Sequence, residues 1–190
     1  MQNAEIQSVP AIAATGSRSA RRVLAVLIGA LVVAAGAQVE IPLPFTPVPV
    51  TLQGLAVVLV GAALGARLGA AALAVYVAAG ALGLPVFAGF TAGAAKLIGP
   101  TGGYLLAFPV AALVSGAIAR HGAVVRCVVA ALAGMVIIFI GGISQLMILG
   151  ATPEQAWALG VAPFLGKDAI EFVIAGLMAS RLRGPVQQRL

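Results

Sequence analysis

Charge is scarce in this sequence: 8% of its 190 residues are charged, 11 of them Lys or Arg and 5 Asp or Glu. A soluble domain carries about 25% charged residues. So few charges cannot wet the surface of a chain this long, which excludes a soluble globular protein. Long polar tracts are absent too, and with 62% hydrophobic residues the chain is not a disordered one. The single cysteine, Cys127, excludes an intrachain disulfide and reads as a small hydrophobe, with palmitoylation the functional alternative. The single histidine, His121, stands between Arg120 and Gly122 and leaves no metal-ligand cluster. Nor is there a nucleophile–base pair. The nearest approach to a phosphate-cradling Walker A loop, Gly160 to Asp168, has one residue too many between its glycines and an Asp in place of Ser or Thr. No cofactor and no enzymatic chemistry are expected, and any ATP-driven step belongs to another subunit.

What is present is a set of long apolar runs, with a mean hydropathy of +1.13. A bilayer core of about 30 Å needs roughly 17–25 helical residues per crossing. Charge-free stretches and breakers predict six transmembrane helices, at about 23–38, 50–66, 68–84, 101–119, 124–149 and 162–180. Between the first two, PLPFTPVPV (42–50) carries four prolines that no helix interior accepts. VFAGFTAGAAKLIGP (86–100) reads as a Gly-rich loop or re-entrant segment. The fold class is therefore an all-α integral membrane protein.

The nine arginines give the orientation. Arg18, Arg21 and Arg22 precede the first span and Arg67 joins the second and third. Arg120 and Arg126 join the fourth and fifth, and Arg181, Arg183 and Arg189 follow the sixth. With six spans all nine fall on one side, whereas Glu40, Lys96 and Glu154 fall on the other. The positive-inside rule then places both termini in the cytoplasm. Residues 1–20 are a cytoplasmic tail that holds Glu5, 21–183 a single membrane domain, and 184–190 a second cytoplasmic tail, in a multi-pass protein of the cell membrane. The pI near 10.8 reports topology and some affinity for anionic lipid, not nucleic-acid binding. RSARR followed by an apolar run and Ala35-Gly36-Ala37 also suits a cleaved signal peptide. A retained helix is favoured because Ala30 and Ala34 form a small-xxx-small face.

Ionisable groups within a span are functional candidates, because each is costly to insert. Lys167, Asp168 and Glu171 lie in the outer part of the sixth span. Asp168 and Glu171, three apart, share a face that Phe164 also approaches. As a structural alternative, Pro163 starts the helix and the acids favour its positive end; both acids are expected to lie beyond the first turn, where that effect fades. A Lys167–Glu171 pair at i,i+4 is another. Gln53 starts the second span near the outer surface. Phe45, Phe87, Phe90, Tyr104, Trp157 and Phe164 map to the outer half and Tyr76 to mid-span, which suits a ring-lined pocket with few polar groups, although an interfacial belt accounts for Trp157. Gly89, Gly93 and Gly99 let loop backbone approach a ligand. Lys96, the loop's cation, is either a partner for a ligand carboxylate or a solvated lysine.

Two long segments, 39–70 and 83–109, closely resemble the BioY biotin-binding proteins, the substrate-capture S components of energy-coupling-factor (ECF) vitamin transporters. PVPVTLQ (47–53), GLPVFAG (83–89) and GPTGGY (99–104) carry the resemblance most specifically, and PFLGKDAI (163–170) is similar to the family's last-helix motif. The resemblance covers about 23–180. It implies a six-helix subunit that binds biotin from outside and associates with a transmembrane coupling subunit and two cytoplasmic ATPases, which topple it to release the vitamin inward. Ala30 and Ala34 would be the docking face. Asp168 would accept from the ureido N–H groups, Gln53 matches the loop-to-helix Gln, and Gly89 and Thr91 match the ligand-covering segment.

The sequence departs from that motif at two positions. The family's Lys three residues after the Asp is Glu171 here, and its Gly before the Asp is Lys167. Either Lys167 or Lys96 supplies the missing charge, or one acid is protonated, or the ligand is another small vitamin. A stand-alone carrier with Asp168 and Glu171 as a coupled proton site is the competing class, although the halves 23–84 and 101–180 show no clear repeat of the kind many carriers possess. A purely structural membrane protein is the third reading.

Overall fold

Helices dominate because each apolar run is rich in Ala, Leu and Val and is interrupted only where Pro, Gly or charge collects. The computed structural model describes residues 12–121 and 123–190; the expectations for residues 1–11, Glu5 among them, lie outside the described residues. Within them are six longer helices, α1 (Ile12–Gln38), α2 (Gln53–Leu64), α3 (Ala66–Ala81), α5 (Gly102–Ile118), α6 (Val124–Ile148) and α8 (Leu165–Arg189). Two short ones join them, α4 (Ala95–Ile98) and α7 (Pro153–Gly160), with 3₁₀ turns at Ala88–Phe90 and Ala119–His121. α5 packs against α2, α3 and α6, and α8 closes the bundle against α2 and α6, while α1 lies on α2 and α3.

Burial follows helical periodicity. α8 buries Asp168, Glu171, Phe172, Ala175, Gly176, Ala179 and Arg183, one stripe at i, i+3, i+4, i+7 spacing. The opposite faces are not polar. Val125, Val136 and Ile140 of α6 and Leu24, Ile28 and Leu31 of α1 are large, apolar and exposed, a surface suited to lipid rather than water. Among the described residues, two helical segments, Arg18–Gln38 and Val124–Ile148, are long and apolar enough to cross a bilayer. With 12 residues, α2 rises only about 18 Å.

Several boundaries differ from the expected ones. α1 begins well before residue 23, at Ile12. The second helix is shortened at both ends. Val50–Thr51 forms β2, which pairs antiparallel with β1 (Glu40–Ile41) in the register Glu40↔Thr51 and Ile41↔Val50. This small ladder departs from an all-α chain, because the prolines between its strands leave extended backbone as the alternative to helix. At the other end Gly65, at φ 84°, turns the chain from α2 straight into α3, a conformation open to glycine. Loop 86–100 is structured, by the 3₁₀ turn and α4.

The sixth segment divides in two. Thr152 and Gln155 form a capping box that starts α7, so ATPEQ opens a helix of its own. α8 then starts at Leu165, two residues later than Pro163 would set it, which puts Asp168 in its first turn. The expectation that both acids lie beyond that turn holds only for Glu171. α8 also runs on to Arg189 through Pro185, rather than ending near 180. Gln187 Nε2 donates to Ala63 O at 3.0 Å and holds this last stretch against α2.

Candidate functional site

At one end of the bundle, the N-terminal ends of α2, α5 and α8, the Pro-rich loop and loop 86–101 surround a cavity of about 200 Å³, room for one small molecule. Phe87, Tyr104, Phe108, Phe139 and Phe164 line it, together with Met135 and Ile138 of α6. The charged lining groups are Glu40, Lys96, Lys167 and Asp168.

The polar wall is built around Lys167. Its ammonium donates to Thr51 O at 3.0 Å, tying α8 to β2. It also lies 2.7 Å from Asp168 Oδ1 and 2.8 Å from Glu171 Oε2. Asp168 and Glu171 have side chains only 5% and 8% exposed, and Lys167 29%. Glu171 Oε2 is buried, with the Lys167 ammonium as its close cationic neighbour. Of the ways to offset Glu171, the structure has Lys167 beside it. One cation between two carboxylates leaves unmet acceptor capacity, and the side that opens on the cavity is Asp168.

A second polar chain sits behind the rings. Thr51 Oγ1 accepts from Gln53 N at 3.3 Å, Gln53 Nε2 donates to Tyr76 Oη at 2.6 Å, and Tyr76 Oη donates to Val86 O at 3.1 Å. Tyr76 packs edge-on to Phe87, with centroids 5.7 Å apart, and stacks on Phe108 at 6.3 Å. The Phe87 ring lies on Gly80, where even a Cβ would collide with it. Gln38, at the end of α1, holds the same loop: its Nε2 donates to Phe87 O at 3.2 Å and its Oε1 accepts from Phe90 N at 3.0 Å. The backbone there is unusual, Gly89 at φ 65° followed by Phe90 at φ 55°. On the far side Tyr104 Oη donates to Gly160 O at 2.8 Å and Thr46 Oγ1 to Leu159 O at 2.7 Å, fastening α5 and the Pro-rich loop to α7.

Of the residues singled out in the sequence, Gln53, Phe87, Thr91, Lys96, Tyr104, Phe164, Lys167 and Asp168 line this cavity. Tyr76 is one layer back, buried and bonded to Gln53. Glu171 stands behind Lys167. Gly89 faces the Glu40 carboxylate, whose Oε2 is 2.8 Å from where a Cβ would stand. The exposed rings of Phe45, Phe90 and Trp157 are outside the lining. Ala30 and Ala34 are half-buried and pack against the chain's own core, while the open face of α1 carries Leu24, Leu27, Ile28 and Leu31.

Sequence reasoning missed Glu40, although the sorting of charges that picked out Lys96 put it on the same side. It missed Pro47, Val48 and Pro49, inside the motif that carried the family resemblance. Met135, Ile138 and Phe139 gave no signal, since nothing distinguishes them from the rest of an apolar helix.

Comparison with known proteins gives one consistent family. Residues 7–188 match the model of the BioY family. The probable biotin transporter BioY of Pyrococcus horikoshii is 40% identical over 149 residues, 78% of this chain and 88% of that protein. The biotin transporter BioY of Thermotoga maritima is 42% identical over 149 residues, 78% of this chain and 87% of its own. Among solved structures, the S component for biotin from an ECF-type ABC transporter superposes with a TM-score of 0.80 at 22% identity, covering 88% of this chain and 93% of that one. At that identity the likeness bears on the fold.

Proposed function

The chain belongs to the BioY family, and from that premise we propose that it captures biotin outside the cell and passes it inward as the S component of an ECF-type transporter. The observation that carries this reading is the cavity wall itself. A ring-lined space for one small molecule presents a carboxylate, Asp168, and an ammonium, Lys167, side by side. A cyclic urea offers N–H donors next to a carbonyl acceptor, which complements that pair. Asp168 accepts from ureido N–H, Lys167 donates to ureido oxygen, and Phe87, Tyr104, Phe108 and Phe164 pack the bicyclic rings. The valerate carboxylate goes toward Lys96, and loop 86–101 with Thr91 covers the ligand.

The same reading places six helices across the cell membrane, with the cavity facing outward and both termini cytoplasmic. The arginine distribution supports it. The short α2 reaches the outer surface only together with β2 and the Pro-rich loop. Import requires a transmembrane coupling subunit and cytoplasmic ATPases as partners; α1 is the docking helix, through its open face of Leu24, Leu27, Ile28 and Leu31, while Ala30 and Ala34, expected from the sequence to form that face, pack inward against the chain's own core.

Equilibrium binding of labelled biotin to the detergent-purified chain tests this. Saturable binding below about micromolar is expected of a scavenging system. Absence of binding in that range overturns the biotin assignment, and an unchanged affinity in Asp168→Asn returns that carboxylate to a structural role.

A further inference from the structure

The opposite end of the bundle holds a second, larger opening. Arg22 of α1, Arg67 of α3, Arg120 after α5 and Arg183 of α8 line one groove of about 660 Å³, with Gly65 and Gln187 at its base. Three helices and the 3₁₀ turn after α5 thus contribute one cation each. Arg183 is only 9% exposed. Its Nη1 donates to Ala62 O, and beside it Gln187 Nε2 donates to Ala63 O, so the two cap the last carbonyls of α2 and hold the guanidinium still. Arg120 lies within Coulombic reach of it, whereas Arg22, Arg67 and Arg120 have exposed side chains.

Apart from the α-carboxylate of Leu190, which lines the groove, no acidic side chain answers these charges among the described residues. Glu40 and Asp168 line the other cavity, Glu171 pairs with Lys167, and Glu154 begins α7, beyond the far end of α6. Like charges gathered in one groove repel one another, and an anion between them offsets that repulsion. Guanidinium groups suit a phosphate in particular, through paired N–H donors. The groove also opens beside apolar flanks. Leu64, Leu68 and Leu190 also line it, and Leu24 and Leu27 of α1 and Leu182 of α8 are exposed. A ligand that carries a phosphate head on apolar tails satisfies both surfaces at once.

We propose that this groove binds the phosphate headgroup of an anionic phospholipid, held between Arg67 and Arg120 and fixed in depth by Arg183. The site is separate from the ligand cavity, and its occupancy does not depend on which vitamin the cavity takes.

The test uses the full chain in nanodiscs of phosphatidylcholine containing a minor share of phosphatidylglycerol. The phospholipid retained is read by native mass spectrometry after transfer to detergent. Wild type is expected to retain phosphatidylglycerol selectively, and Arg67→Gln/Arg120→Gln to lose that selectivity by about tenfold or more. Arg126→Gln/Arg189→Gln, outside the groove, should change it less than about threefold. Arg67 and Arg120 are exposed, and an unchanged melting midpoint in pure phosphatidylcholine verifies that the fold survives their replacement. Arg67→Lys/Arg120→Lys, which keeps the charge but removes the paired donors, gives a second reading, with intermediate retention expected. Equal losses in the groove and control variants, or no loss in either, overturn the site. Complete displacement of phosphatidylglycerol by inorganic phosphate at matched ionic strength overturns the lipid as its source.

Discussion

Removing the cation from the Asp168–Lys167–Glu171 cluster is the most informative single change. At 2.7 and 2.8 Å, each carboxylate attracts the ammonium by about 6 kcal/mol at an effective dielectric of 20, before any desolvation is counted. Those gross figures largely cancel against burial, so the net value of the cluster is small. The asymmetry on breaking it is not. Lys167→Met leaves two almost fully buried carboxylates facing each other with no cation, and breaking a buried pair typically costs about 3–5 kcal/mol. The partial exposure of Lys167 sets the expected loss at the lower end, about 3 kcal/mol. Glu171→Gln has the opposite character. It leaves Lys167 with Asp168 and with Thr51 O, turning an unbalanced cluster into a neutral pair, and should cost less than about 1 kcal/mol. Adding Glu171→Gln to Lys167→Met should recover about 1–2 kcal/mol, as a double-mutant cycle within a direct contact does. The assay is reversible unfolding of the detergent-solubilised chain followed by circular dichroism, with biotin affinity measured on the same samples. If Lys167→Met falls within about 0.5 kcal/mol of wild type, as a surface substitution does, the cluster does not hold this wall together.

Other perturbations probe the rings and loops around the cavity. Tyr76→Phe takes the acceptor from Gln53 Nε2 and the donor from Val86 O, which should cost about 1–3 kcal/mol in unfolding free energy and weaken biotin binding; unchanged stability would show that the buried chain re-pairs. Gln38→Ala removes the side chain that grips Phe87 O and Phe90 N, so amide hydrogen exchange should accelerate at Phe90 and its neighbours while the amides of α5 keep their rates. Gly80→Val drives a side chain into the Phe87 ring; the ring must leave the cavity wall, and biotin affinity should fall about tenfold or more, a cost in the overpacking range. Thr46→Val frees Leu159 O and loosens the Pro-rich loop from α7, with an expected loss of about 1–2 kcal/mol in the same unfolding assay.

Composition and the spacing of apolar runs by themselves determined the class and the approximate positions of the inner helices. A chain with 8% charged residues has only lipid to put around it, and prolines and glycines between apolar runs confine the ends of α2, α3, α5 and α6 to within a few residues. The ends moved where long-range pairing outweighed local preference. Val50 and Thr51 left α2 for a ladder with Glu40 and Ile41, and α8 continued through Pro185 because Gln187 reaches a carbonyl of α2.

The site was legible as a set of residue types on one side of the chain, since polar groups are rare here and each one stands out. Only the tertiary structure decided which of them meet. It brought Lys167 between two acids, put Tyr76 behind the lining rather than in it, and drew three unremarkable side chains of α6, Met135, Ile138 and Phe139, into the wall. The physical reason is that periodicity tells which face of a helix is inward but not what lies across from it. A contact such as Lys167 with Thr51 O spans 116 positions in the chain, and a pattern read along one helix carries no information about a partner so far away.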